Sequence, residues 1–322
     1  MVRILENRLT WSKSRGETLE HCARKYWWTY YGSWGGWAHD APAEAREAYV
    51  LKNLHSRWTW VGDAVHRAIE RVLRGLEKRA APEGGLDLRD ELQGANGREI
   101  DVEAVLRAVT DSMRMQYVDS RDGRYRADPK RVVGLVEHEY AAAVPASEWK
   151  EMNRRALDAV RRFLESETFA RIRASDPATW LPFETLDSFD FEGTPVWAAL
   201  DFARRTEDGA EVYDWKTGED RPDANRLQML CYALYLEARH GIPATKVVGR
   251  LVYVSTGTVA EVRATASELD AARGAIRASI AEMRRRLAAG AAEGGDPSKL
   301  AFPMTDDHGR CATCAFRRLC GR

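Results

Sequence analysis

Asp214 and Lys216 lie two residues apart in the run E-V-Y-D-W-K-T-G, where the alternation of a strand puts both on one side and Tyr213 and Trp215 on the other. A carboxylate and an ammonium therefore point the same way from the end of one strand, where the acid can hold a hard cation. Asp201 stands thirteen positions earlier in the apolar run V-W-A-A-L-D-F-A. An unpaired carboxylate is costly to bury there, and a divalent metal shared with Asp214 would compensate it. Gln228 and Tyr232, four apart on the next helical stretch, can reach the same opening. The competing account of Asp214 and Lys216 is an ordinary ion pair across a strand face.

The five cysteines are a second source of chemistry. Three fall in the tail C-A-T-C-A-F-R-R-L-C (Cys311, Cys314, Cys320), with Cys22 near the start and Cys231 between them. A chain of 322 residues buries an adequate core without disulfides, so metal ligation fits better. Zinc takes four N or S ligands and an iron-sulfur cluster takes four thiolates. Cys22 supplies the fourth ligand if the chain ends meet, and His308 competes with it. Cys231, on an apolar helix face, reads as a small buried hydrophobe.

These groups need elements to hold them. Residues 12–31 read as a helical stretch containing Cys22, followed by the glycine-broken aromatic segment GSWGGW. Val61, Val65, Ile69, Val72 and Leu76 mark one face of a helix over 56–79, with His66 beside that face. Residues 80–96 read as a loop, and 101–118 and 148–174 as further helices. Alternation then predicts a three-stranded meander over 183–191, 196–204 and 211–216. A helix over 224–239, a hairpin over 246–264 and a helix over 268–289 follow, before the linker AAGAAEGG. The implied division is an amino-terminal segment (1–55), a core helix with His66 (56–79), a helical insertion (80–180), a catalytic core (181–290) and a cysteine-rich tail (291–322).

With 49 Lys+Arg against 49 Asp+Glu, bulk charge does not attract nucleic acid, and any such contact must be local. Residues 1–31 and 301–322 are both net positive. Tyr26, Trp27, Trp28, Tyr30, Tyr31, Trp34 and Trp37 form an aromatic cluster expected mainly in the core, with one or two rings left for base stacking. No apolar run is long enough to span a membrane and no secretory leader opens the chain, so a cytoplasmic location is expected.

In order, Asp201, D-W-K at 214–216 and Q-M-L-C-Y at 228–232 resemble the PD-(D/E)XK nuclease superfamily. The upstream G-D-A-V-H with His66, one early cysteine and a terminal CxxC-x5-C are similar to its RecB/AddB branch, related to the CRISPR-associated adaptation exonucleases. Glu184 looks like that family's glutamate in the first strand. Ala199 stands where Gly is common and Ala23 where Pro often follows the first Cys; neither change removes a functional group. The long separation of His66 from Asp201 favours an AddB-like or stand-alone repair, phage or defence nuclease. The resemblance implies an α/β, restriction-endonuclease-like core whose mixed central sheet is flanked by helices, and a 4Fe-4S lobe joining the termini through Cys22, Cys311, Cys314 and Cys320.

It further implies a metal-dependent deoxyribonuclease, in the main an exonuclease on single strands or free ends. His66, Asp201 and Asp214 would bind Mn2+ or Mg2+, with an imidazole tilting preference toward manganese. Lys216 would act on water or the developing phosphorane charge, and Gln228 and Tyr232 would place DNA or water. No G-x-x-x-x-G-K-[ST] is present, so DNA unwinding would need a separate helicase subunit. The rival reading is an inactive DNA-binding or assembly subunit of a helicase-nuclease or CRISPR adaptation complex.

Overall fold

A computed structural model describes residues 6–80, 100–291 and 297–322. The loop expected over 80–96 lies outside the described residues from residue 81 on, as do residues 292–295 of the expected linker AAGAAEGG, whose first three residues are helical instead. Helix α1 (Lys13–His21) starts at Ser12, whose hydroxyl accepts from the Arg15 N–H. The single helix expected over 12–31 is in fact broken at Cys22, which is extended. Its sulfur caps α2 (Ala23–Trp27), and a π-helical turn (Trp28–Gly32) follows. After α3 (Ala43–Lys52), the two-residue strand β1 (Leu54–His55) leads into the long helix α4 (Arg57–Ala80).

α4 buries Val61, Val65, Ile69 and Val72, the stripe read from the sequence. Its partners are α5 (Val102–Arg121) and α7 (Ala146–Leu164); between these lie β2 (Gly134–Leu135), paired parallel to β1, and the short α6 (Val136–Glu139). The helix expected over 148–174 is interrupted where Ser166 caps α8 (Glu167–Ala174).

The expected meander is divided differently. β3 (Asp187–Phe191) and β4 (Thr194–Ala198) form a separate hairpin, closed by Glu192 and Gly193, both at positive φ as a two-residue twisted turn requires. Residues 199–201 are not strand. β5 (Phe202–Arg205) then begins a mixed four-stranded sheet with β6 (Ala210–Lys216), β7 (Val247–Tyr253) and β8 (Thr258–Arg263). β5 and β8 run antiparallel to their neighbours, while β6 and β7 are parallel, joined through α9 (Pro222–His240).

This sheet separates two apolar cores. Val212 and Leu251 face α9 and α10 (Ala266–Gly290), together with Trp28, Leu236 and Ile276. Tyr213, Trp215 and Val252 face α4, α5 and α7 with Phe163 and Ile69, where each fully buried large side chain contributes about 1.5–3 kcal/mol. Gly249 on β7 lets α9 lie close, since a Cβ there would stand 3.0 Å from the Met229 sulfur. The chain closes with α11 (His308–Ala312) and α12 (Arg317–Cys320). Among the described residues no helix is long and apolar enough to cross a membrane.

Candidate metal and catalytic site

The break between β4 and β5 creates the site. β5 pairs with β6 only as far as Phe202 opposite Tyr213, so the main-chain groups of Trp215 meet no further strand residue on that side. Side chains take their place. The Trp215 N–H donates to Asp201 Oδ2 at 2.7 Å, and its carbonyl lies 3.0 Å from His66 Nε2 on α4. Because a carbonyl only accepts, Nε2 carries the proton and Nδ1 is turned inward. Nδ1 stands 3.6 Å from Asp201 Oδ1 and 3.8 Å from Glu184 Oε1. The ligand atoms of His66, Glu184 and Asp201 all lie within 4.8 Å of one another, a grouping able to hold a metal ion.

Glu184 is held there at some cost. Its φ is +48°, in the left-handed region where a non-glycine residue carries about 1–3 kcal/mol of strain, and its N–H donates to the Leu200 carbonyl at 2.7 Å. Its Oε1 is buried without a hydrogen-bond partner. An orphaned carboxylate oxygen facing an imidazole nitrogen and a second carboxylate fits a divalent cation, whose ligands are oxygens and imidazole. The surrounding charge agrees. Burial lowers the His66 pKa, but the carboxylates of Asp201, Glu184 and Asp214 outweigh it and hold the imidazolium well above its usual range. Burial and the Asp214 charge push the Asp201 carboxyl upward. Three acids crowd a site that is short of positive charge.

Asp214, 1% exposed, belongs to a second, adjoining set. Its Oδ2 is 2.6 Å from Lys216 Nζ, and its Oδ1 accepts from Gln228 Nε2 at 2.8 Å. Lys216 also donates to Gln228 Oε1 at 2.9 Å, and Gln228 donates to the Tyr232 hydroxyl at 2.7 Å. Burial, then the charges of Asp214 and Asp201, raise the Tyr232 pKa well above normal, so the phenol stays neutral and can donate. All six residues read from the sequence are therefore brought together, as two adjoining sets and not one. Glu184, which sequence reasoning noted but left out of the ligands, joins His66 and Asp201, while Asp214 faces Lys216.

The segments that carry the cysteines of the two chain ends pack together. Arg24 on α2 donates to the Phe302 carbonyl at 2.8 Å, and Arg310 on α11 reaches the His21 carbonyl at 3.0 Å. Trp28 stacks on Phe316 at 18°. Burial raises the Cys314 and Cys320 thiols, and each is raised further by its neighbours: Cys314 by Cys320 and Cys22, and Cys320 by Cys22 and Cys311. Main-chain N–H groups of Lys25 and Phe316 point at the sulfurs of Cys22 and Cys314. Such donors suit thiolates. His308 faces the Arg322 guanidinium. Cys231 is buried apart from this group, and burial pushes its thiol up to about 12.

A model of the PD-(D/E)XK nuclease superfamily matches residues 10–321, and the chain belongs to that superfamily. Its members are generally metal-dependent nucleases. No curated protein sequence matches the chain.

If the His66–Glu184–Asp201 set binds a cation, Mn2+ at about 100 times its dissociation constant raises unfolding free energy by about 2.7 kcal/mol. Glu184→Gln should lose most of that gain in a thermal melt, while keeping a melting temperature near that of the wild type without metal.

Proposed function

We propose that this protein is a divalent-metal-dependent deoxyribonuclease of the RecB/AddB-like branch, acting as an exonuclease on single strands or free DNA ends. The observation that carries the reading is the adjacency of a cation-deficient set (His66, Glu184, Asp201) and a strand-borne Asp214–Lys216 pair. Mn2+ or Mg2+ would be held by His66, Glu184 and Asp201, with Asp214 adjoining them, and would supply Lewis acidity toward phosphate and a more acidic water. Lys216, braced by Asp214 and Gln228, places an ammonium where the attacked phosphate gains charge. Tyr232 holds Gln228 and so fixes the lysine.

Cys22, Cys311, Cys314 and Cys320 are read as the ligands of a 4Fe-4S cluster that ties the ends together, supported by the N–H donors aimed at two of the sulfurs. In this reading residues 1–55 and 291–322 form the cluster lobe, 80–180 the helical insertion, and 181–290 with the 56–79 helix the catalytic core. DNA repair, recombination, phage or defence processing is the setting, with unwinding supplied by a separate helicase subunit.

End-labelled single- and double-stranded DNA incubated with Mn2+, Mg2+ or EDTA tests the chemistry. Cutting should need metal, and Lys216→Ala should lower it at least about 100-fold, as loss of a charge-stabilising donor does elsewhere. Unaltered cutting in Lys216→Ala, or none by cluster-loaded wild type, would turn the reading toward an inactive DNA-binding subunit. Anaerobically purified protein should be brown and lose its visible absorbance in Cys314→Ala; colourless protein with stoichiometric zinc would replace the cluster with a zinc site.

A further inference from the structure

A groove of about 950 Å³ leads from Lys216 past Lys13 and Arg15 on α1, and is walled by the half-buried rings of Tyr30, Trp34 and Trp197. On the next turn of α1, Thr18 lines a different cleft, of about 620 Å³, between α2, α3, the start of α4 and the cysteine tail. This second cleft contains Lys25, Lys52, Arg57 and Arg317 against a single acid, Glu137. Glu137 is already committed: its oxygens accept from the Arg57 N–H at 3.0 and 3.2 Å and lie 3.8 Å from the Arg57 guanidinium.

Lys25 and Lys52 differ from most cations of this chain. Among the described residues no carboxylate lies within ion-pair distance of either. Burial, then the charges of Lys130 and Arg15, lower the Lys52 pKa to about 8, which sets Arg15 and Lys52 within electrostatic reach of one another. The two depressions thus meet along α1, where Arg15 stands between them; Lys13 in the first groove is paired with Glu17 at 2.8 Å, and Glu6 also lines that groove. At the far mouth Trp58 is 51% exposed, flanked by Arg57 and Arg155.

We propose that a single-stranded polynucleotide engaged at the candidate active site runs along α1 and seats its phosphates on Lys25 and Lys52 in the cleft beside the cysteine tail. This rests on the nuclease reading for what happens at one end, and adds the course of the strand beyond it. Two unpaired ammonium groups in a concave cleft match a chain of phosphodiesters. Rings facing the groove match unstacked bases, which a duplex does not present.

Binding measured in EDTA separates this path from catalysis. Fluorescent oligothymidylates of about 4 to 16 nucleotides, the span of single-strand sites, are titrated by anisotropy against wild type, Lys25→Met, Lys52→Met and the double variant. Wild-type affinity should rise with length, and the double variant should lose that gain. Each lysine removed should make the slope of log affinity against log salt shallower by about 0.7 for the longest strand. If the double variant does not fold, as judged by melting and visible absorbance, each single variant still reports its own slope. Unchanged slopes and length dependence overturn the path, as does an equal loss for a blunt duplex, which would assign the cleft to double strands. A protein that cuts no DNA yet shows the length effect sinks the nuclease reading and leaves the path standing.

Discussion

The main chain of Trp215 is the point on which the site depends. Two residues past the reach of β5, its N–H and carbonyl are left without a β5 partner, and Asp201 and His66 occupy them. Buried main-chain groups must find partners, so the sheet itself selects where a carboxylate and an imidazole will stand. The indole fixes this peptide by packing on Phe163 and Tyr213 in the core shared with α4, the helix that carries His66. Fold stability and ligand placement are therefore coupled through one residue that itself has no chemical role.

What this scaffold assembles is electrically incomplete. Glu184, Asp201 and Asp214 lie close together, and the cations facing them are Lys216, which is bound to Asp214, and a histidine that those same acids keep charged. Proteins rarely bury like charges without a compensating partner. The strained backbone of Glu184 and its orphaned oxygen add to the cost, and strain of this kind gathers where function requires it. A bound cation would remove the imbalance by displacing the His66 proton and sharing the carboxylates.

Much of this was legible in the sequence, where the physics is local. Alternation placed Asp214 and Lys216 on the face opposite Tyr213 and Trp215, and a 3.6-residue period placed α4. The mixed four-stranded sheet belongs to the expected α/β class. What was not legible depends on distant partners. The run from Val196 to Arg204 is apolar but for Asp201 and Arg204, so nothing in it signals the break at 199–201, where Asp201 accepts from the Trp215 N–H, fourteen residues away. The positive φ of Glu184 leaves no mark in a sequence, since that region normally favours glycine. Cys22 read as one residue within a helix, yet its sulfur caps α2 and its backbone ends α1. Asp214 read as a ligand partner of Asp201; in the structure its Oδ1 accepts from Gln228 and its Oδ2 lies against Lys216, while its charge still reaches Asp201 and His66.

The same constraint gives the account its most direct test. Crystals soaked in Mn2+ and measured at a wavelength where manganese scatters anomalously should show one peak bounded by His66 Nδ1, Glu184 Oε1 and Asp201 Oδ1, with oxygen ligands at about 2.0–2.6 Å. Asp214 should stay near enough to join it. Absence of a peak at saturating Mn2+, with His66 still against Asp201 as an ion pair, would mean that the buried charge is balanced by a proton alone, and the site would not be a metal centre.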